Sequence, residues 1–302
     1  MGDEPPDRGG GDNGPGRWFT TLMLAPMVLL LAAFTVYPFL SVLWFSLTKQ
    51  DLTQPDASGF TGLDNFSAAL STPGLVRSVV LTVVLVVVVV TLEFGLGVLA
   101  AAMLWQPIRG SRAYLSLLIL PFAATPVAAY LAWRLILSPD GGQLNTLLDA
   151  LGLPTPAWTS DPILAAVSIM AVDVWQWTPF VILILVAGLQ GLPADVSEAA
   201  ALDGANLAQR LRHVALPMLK PLIVFIVTFR AIDAVRTFDS IWIITAGGPG
   251  SATEILTVRI YREAFINLSI GEASALGLLL LIVLIVLGKW LAAPALQRRL
   301  ES

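Results

Sequence analysis

Apolar residues dominate this chain in six long runs, at about 20–47, 77–105, 112–137, 163–190, 219–244 and 272–294. Each meets or exceeds the ~20 residues that a helix needs to cross a bilayer, with some allowance for tilt. In lipid every backbone N–H and C=O needs an internal partner, so such runs predict helices. The valine-rich run 83–90 would favour a strand in water, but its length and setting predict a helix. The pattern therefore predicts an all-α membrane protein with six transmembrane helices. Polar segments separate the runs, with turn signals at Ser138-Pro139-Asp140-Gly141-Gly142 and Gly247-Gly248-Pro249-Gly250.

Composition narrows the possibilities. Of 302 residues, 56% are hydrophobic and 13% charged, and the mean hydropathy is +0.80; soluble domains carry nearer a quarter charged residues. The net charge of −4 comes with no basic tail, so nucleic acid is not an expected partner. There is no cysteine and one histidine, which excludes thiolate chemistry and leaves no expected metal site. No GxxxxGK[ST] sequence occurs, so any ATP must be bound by another chain. Residues 1–18, rich in Gly, Pro and Asp, are expected to be disordered. The run that follows is too long for a signal-peptide core and reads as a retained first helix. Ten Lys and Arg fall on the side of both termini and five on the other, which puts the termini in the cytoplasm.

One cytoplasmic stretch, SEAAALDGANLAQRLRHVALPMLKP (197–221), is polar and holds the lone histidine. Asp195 and Ser197 suit a helix start and 198–202 is strongly helix-forming. Asp203-Gly204 predicts a turn, 206–214 a second helix, and Leu216-Pro217 its end. Two readings fit: an amphipathic connector on lipid headgroups, or a rigid knob for a soluble partner. In the second, Gly204 permits close approach and Glu198 offers a carboxylate to an arginine.

The residues Glu198-Ala199-Ala200, then Asp203-Gly204-Ala205, then Leu216-Pro217 with Pro221, resemble the EAA motif of binding-protein-dependent ABC importer permeases. The resemblance extends over most of the chain, through LSPDGGQLNTLL, VWQWTPFVILILVAGLQGLP, FRAIDAVRTFDSIWIITAGGPG and TVRIYREAF. The chain resembles the first permease subunit of maltose- and trehalose-type sugar importers. Leu211 and Val214 stand where many relatives have an aromatic and an isoleucine, and both remain apolar. The resemblance implies a type I ABC importer transmembrane domain in a bacterial inner membrane. Its core would span 77–294, after a first helix and outer loop at 19–76. The coupling loop would be 193–221 and the cytoplasmic tail 295–302. It implies no cofactor and no catalysis in this chain. ATP and Mg would be held by two copies of an ATPase; a second permease and an extracytoplasmic sugar-binding (lipo)protein would complete the assembly. It also implies ATPase docking through Glu198, Ala199, Ala200, Asp203, Gly204, Ala205, Leu216 and Pro217, and binding-protein contact at Gly247, Gly248 and Pro249.

Charges inside spans cost roughly 2.5–3.5 kcal/mol each on insertion scales, so they face cavities or partners. Glu93, Asp173, Arg230, Asp233, Arg236 and Asp239 are of this kind. Arg230, Asp233, Ala234 and Thr237 share one helical face, with Arg230–Asp233 and Arg236–Asp239 as possible pairs; Asp173, Trp177 and Phe180 share another. Either they clamp helices together, or with Glu93 they line a path on which rings stack against sugar C–H faces and charges bind hydroxyls. The family resemblance favours the path. Trp175 reads as an anchor, and Pro179 predicts a kink. Competing functions are a glycerol-phosphate permease, a proton-coupled secondary transporter using Glu93 or Asp233, and an intramembrane enzyme; the EAA segment has no role in the last two.

Overall fold

The first apolar run folds, in a computed structural model that describes residues 17–50, 59–105 and 111–300, as α1 (Arg17–Leu31), a π turn over Ala32–Val36 and α2 (Tyr37–Ser46). The helix already begins at Arg17, inside the stretch expected to be disordered; the rest of that stretch lies outside the described residues. The π turn precedes Pro38, which has no N–H to donate; Tyr37 instead donates back five residues to Ala32 O. Two strands of two residues each, β1 (Thr48–Lys49) and β2 (Gly59–Phe60), pair antiparallel with Thr48 opposite Phe60, and α3 (Asp64–Ser71) follows.

Helix α4 (Leu75–Trp105) contains the valine run, as expected from its length. Its buried positions, including Ser78, Thr82, Leu85, Val89, Glu93 and Gly97, recur every three or four residues and form one stripe. The third run is not one helix. It bends by 89° between α5 (Ser111–Ala123) and α6 (Pro126–Ile136). Pro126 forces the residue before it out of the helical region, and Thr125 has ψ 121°. After α7 (Gln143–Ala150), α8 (Pro162–Gln190) starts on an Asp161 cap that accepts from the N–H groups of Ile163 and Leu164. It runs unbroken through Pro179, which is buried, so the expected kink does not interrupt it.

The polar stretch forms α9 (Ala194–Leu202), α10 (Leu207–Arg210), a π turn over Leu211–Ala215 and α11 (Leu216–Met218), followed by α12 (Lys220–Arg236) at 78°. The fifth run was expected to be continuous to 244, but α12 stops at Arg236. A short α13 (Asp239–Ile244) then precedes α14 (Leu256–Phe265) and α15 (Ile270–Leu300). Neither proline nor glycine makes this break. Thr237 O accepts from Thr257 Oγ1 at 2.6 Å, and the Phe238 ring lies 5.0 Å from Tyr261 and 5.7 Å from Trp242. Partners on α13 and α14 thus replace the continuing helix. The last helix also runs beyond 294, into the segment expected as a tail.

Four helices are long and apolar enough to cross a membrane, and the two bent pairs bring the total to six among the described residues. Helix α8 lies against α4 and α5, while α12 packs between α4 and α15. Gly97 lets α4 and α8 touch: a Cβ there would sit 2.5 Å from Val181 Cγ1 and 3.0 Å from its Cβ. Valine has little rotameric freedom in a helix, so Gly97→Ala is expected to destabilise by about 1–3 kcal/mol through overpacking. Thermal unfolding in detergent checks this; an unchanged Tm would mean that the two helices part freely at Gly97.

Candidate functional site: a buried ion cluster, an aromatic row and a coupling loop

Three spans each contribute a charged side chain to one point. Arg230 of α12 donates Nε and Nη2 to the two oxygens of Glu93 on α4, each at 2.7 Å. Nη2 also donates to Asp173 Oδ2 on α8 at 2.9 Å, and Nη1 to Asp233 Oδ2 one turn along α12, at 2.5 Å. Trp177 covers the guanidinium, with Cζ 4.4 Å from the ring centroid. The planar fork of arginine suits this arrangement: two donors close on Glu93 while the others reach two further carboxylates. The Arg230, Glu93 and Asp173 side chains are 1%, 0% and 2% exposed, whereas Asp233 keeps 33%.

The structure thus gathers five of the expected path residues, Glu93, Asp173, Trp177, Arg230 and Asp233. It separates them by exposure. Glu93, Asp173 and Arg230 are sealed and bound to one another; Asp233, Trp177 and Phe180 retain open surface. Ala234 is on the same helix but buried. Thr237 lies beyond the end of α12, its hydroxyl 3.4 Å from Ser240 Oγ. The break also removes the expected Arg236–Asp239 pair: among the described residues no ion pair joins them, and both are exposed.

Beside the cluster runs a row of rings. Phe122 of α5 lies 5.6 Å from Trp177 and 5.7 Å from Phe180; Phe180 lies 5.0 Å from Phe229, and Phe229 6.0 Å from Phe225. Sequence reasoning did not single out Phe122, Phe225 or Phe229. For the last two a signal existed: Phe225, Phe229 and Asp233 step by four along α12 and share a stripe. Gln176 was also missed. Its Nε2 donates to Pro121 O at 2.6 Å, satisfying a carbonyl that the end of α5 leaves without a helical partner. Trp175, read as an anchor, is 39% exposed and meets Trp133 edge-on.

In the coupling stretch, Gly204 has φ +80° and ends α9. The N–H of Ala205 reaches back to Ala200 O and that of Asp203 to Ala199 O, so a glycine-centred C-cap satisfies the last carbonyls. Asn206 then opens α10 with a capping box, accepting from Gln209 N–H while Gln209 Oε1 accepts from its own N–H. The helix was expected to end at Leu216-Pro217. It instead passes Pro217 to Met218, because a π turn has Leu216 donate five residues back to Leu211 O just before the proline. Leu211, Ala215 and Leu219 pack on Ala101, Leu185 and Leu189, the matching ends of α4 and α8. Arg210 lies 5.8 Å over the Trp105 ring. Glu198 falls within α9, where its side chain lies outside the described ones.

A membrane protein with a polar core and a separate knob packed on two of its spans has the build of a transport component. The chain belongs to the family of binding-protein-dependent transport system inner membrane components, whose model matches residues 12–301. It is 34% identical over 265 residues to the trehalose/maltose transport system permease protein of Thermococcus litoralis, covering 87% of this chain and 89% of that one. It is 32% identical over 278 residues to an sn-glycerol-3-phosphate transport system permease protein of Agrobacterium fabrum, covering 90% and 93%. A crystal structure of a bacterial alginate ABC transporter with its periplasmic protein shares the fold, with TM-score 0.79 at 20% identity over 91% of this chain and 92% of that chain.

Proposed function

We propose that this chain is the permease subunit of an ATP-driven importer and carries an uncharged sugar, a disaccharide or small oligosaccharide of the trehalose or maltose kind. The observation that supports this is the cluster beside the aromatic row. Three carboxylates face one guanidinium, and that guanidinium is already engaged by all three. A phosphate at this surface would meet Asp233 and a guanidinium already engaged by carboxylates; the exposed Arg236 lies a further turn along, at the end of α12. A neutral sugar would stack its C–H faces on Trp177, Phe180 and Phe229 and give its hydroxyls to Asp233. Glu93, Asp173 and Arg230 act behind this surface by fixing α4, α8 and α12.

The partners are a second permease, two ATPase copies holding ATP and Mg, and an extracytoplasmic binding protein that meets Gly247, Gly248 and Pro249. Both termini face the cytoplasm. Two observations support partner contacts. The span Thr21–Ser46 has none of its apolar window buried within the chain, as suits a helix laid against a second permease. Leu202, at the end of α9, is 89% exposed, an apolar contact for an ATPase groove, four residues along the helix from Glu198. ATPase closure then moves 197–217, which carries α4 and α8 with it through Leu211, Ala215 and Leu219. The change is a shift in population between states open to either side.

Gentle detergent purification from the native host, followed by mass spectrometry, tests the assembly. A second permease, an ATPase and a binding protein are expected; repeated recovery of the chain alone would reject the reading. In proteoliposomes of that assembly, ATP-dependent uptake of a neutral disaccharide is expected, without competition from glycerol 3-phosphate. Asp233→Asn is expected to slow uptake about tenfold, near the worth of one hydrogen bond to a charged group. Equal uptake of glycerol 3-phosphate would overturn the assignment of an uncharged substrate.

A further inference from the structure

The loop between α13 and α14 is held more firmly than a surface turn requires. Ala246, Gly247 and Gly250 have φ of +50°, +85° and +60°. For Ala246 this is the left-handed region, where a Cβ crowds the next carbonyl, so other contacts must keep it there. Some come from inside the loop. Thr253 Oγ1 donates to Gly248 O at 2.8 Å and lies 2.7 Å from Thr245 Oγ1, while the N–H of Gly248 reaches Thr245 O at 2.9 Å. Others come from α14. Arg262 donates Nη2 to Ala246 O itself at 2.7 Å, and its Nη1 lies 3.2 Å from Glu254 Oε2. Arg259, one turn earlier, lies 3.5 Å from Glu254 Oε1 and donates to Pro73 O at 2.8 Å. Glu254 is 8% exposed and uses both oxygens on the two arginines.

We propose that Glu254 and Arg262 are positioning residues that hold the 246–250 turn in a fixed shape for a soluble binding protein; this rests on the assignment of that turn as the docking contact. A preformed turn docks without the entropy loss of ordering a loop. It also transmits. Thr245 caps the end of α13, and Arg259 ties the loop to Pro73, two residues before α4, so a partner pressing on the turn presses on both helices rather than on a loose loop.

The test uses the purified assembly in lipid nanodiscs, with and without its binding protein, and two variants. Arg262→Ala removes the clamp from outside the loop, and Thr253→Val loosens it from within. Hydrogen exchange at the amides of Gly248 and Thr253, measured without binding protein, is expected to rise about tenfold or more in both variants, as local opening becomes easier. The binding-protein concentration that half-saturates ATPase stimulation is expected to rise about tenfold, with the maximal rate retained, as lost preorganisation weakens docking. Unchanged exchange in both variants overturns the clamp, whatever docking does. Faster exchange with an unchanged half-saturation point overturns the positioning role, whereas exchange at Gly248 and Thr253 of the parent that saturating binding protein leaves unchanged overturns the assignment of the turn as the contact.

Discussion

Replacing Arg230 with methionine is expected to destabilise the protein by about 3–5 kcal/mol, the usual cost of removing one partner from a buried ion pair. The loss is large because of what remains. Glu93 and Asp173 are 0% and 2% exposed, and each would keep a carboxylate closed off from solvent and lacking its counter-charge. The native pairing itself need not contribute much net stability, since burying its charges is costly. Arg230→Lys is expected to fail almost as badly, because an ammonium cannot span both Glu93 oxygens and reach Asp173 and Asp233 at once. Removing Glu93, Asp173 and Arg230 charges together, as Gln, Asn and Met, is expected to recover much of the loss. Thermal unfolding in detergent and double-mutant cycles measure both effects. An Arg230→Met protein within about 1 kcal/mol of its parent would contradict the clamp.

The second large effect is expected at Glu198. Changed to lysine, it should leave membrane insertion and the Tm intact while lowering ATP-dependent uptake by about tenfold or more. A charge-assisted hydrogen bond across an interface is worth about 1.5–3 kcal/mol, and reversing the charge adds repulsion from a partner's arginine. ATP hydrolysis should persist without matching transport. Parallel measurement of phosphate release and sugar accumulation in proteoliposomes decides the matter. Uptake at the parental rate would remove 197–217 from its assigned role in coupling.

Local chemistry along the chain was enough for several features. Run length alone makes the spans helical, because lipid offers the backbone no other partner. Asp203-Gly204 makes its turn because the C-cap needs positive φ, which glycine adopts without strain. The common face of Asp173 and Trp177 follows from four-residue spacing on a helix. Each of these signals is contained within a turn or two of backbone.

Only the tertiary structure decided how the spans meet. Glu93 and Arg230 lie 137 residues apart, and nothing near either one names the other. In α4 the polar and small residues Ser78, Thr82, Glu93 and Gly97 mark the buried face, but the valines and leucines around them carry little record of how deep a neighbour sits or which helix it is. The end of α12 was equally silent, since it depends on Thr257 and Tyr261 arriving from α14. So did the division of the path residues into sealed and open, because exposure belongs to the packed helices together. Backbone partners are satisfied within a helix and can be read from its sequence; side-chain charges are satisfied between helices, and their pairing exists only once the helices have packed.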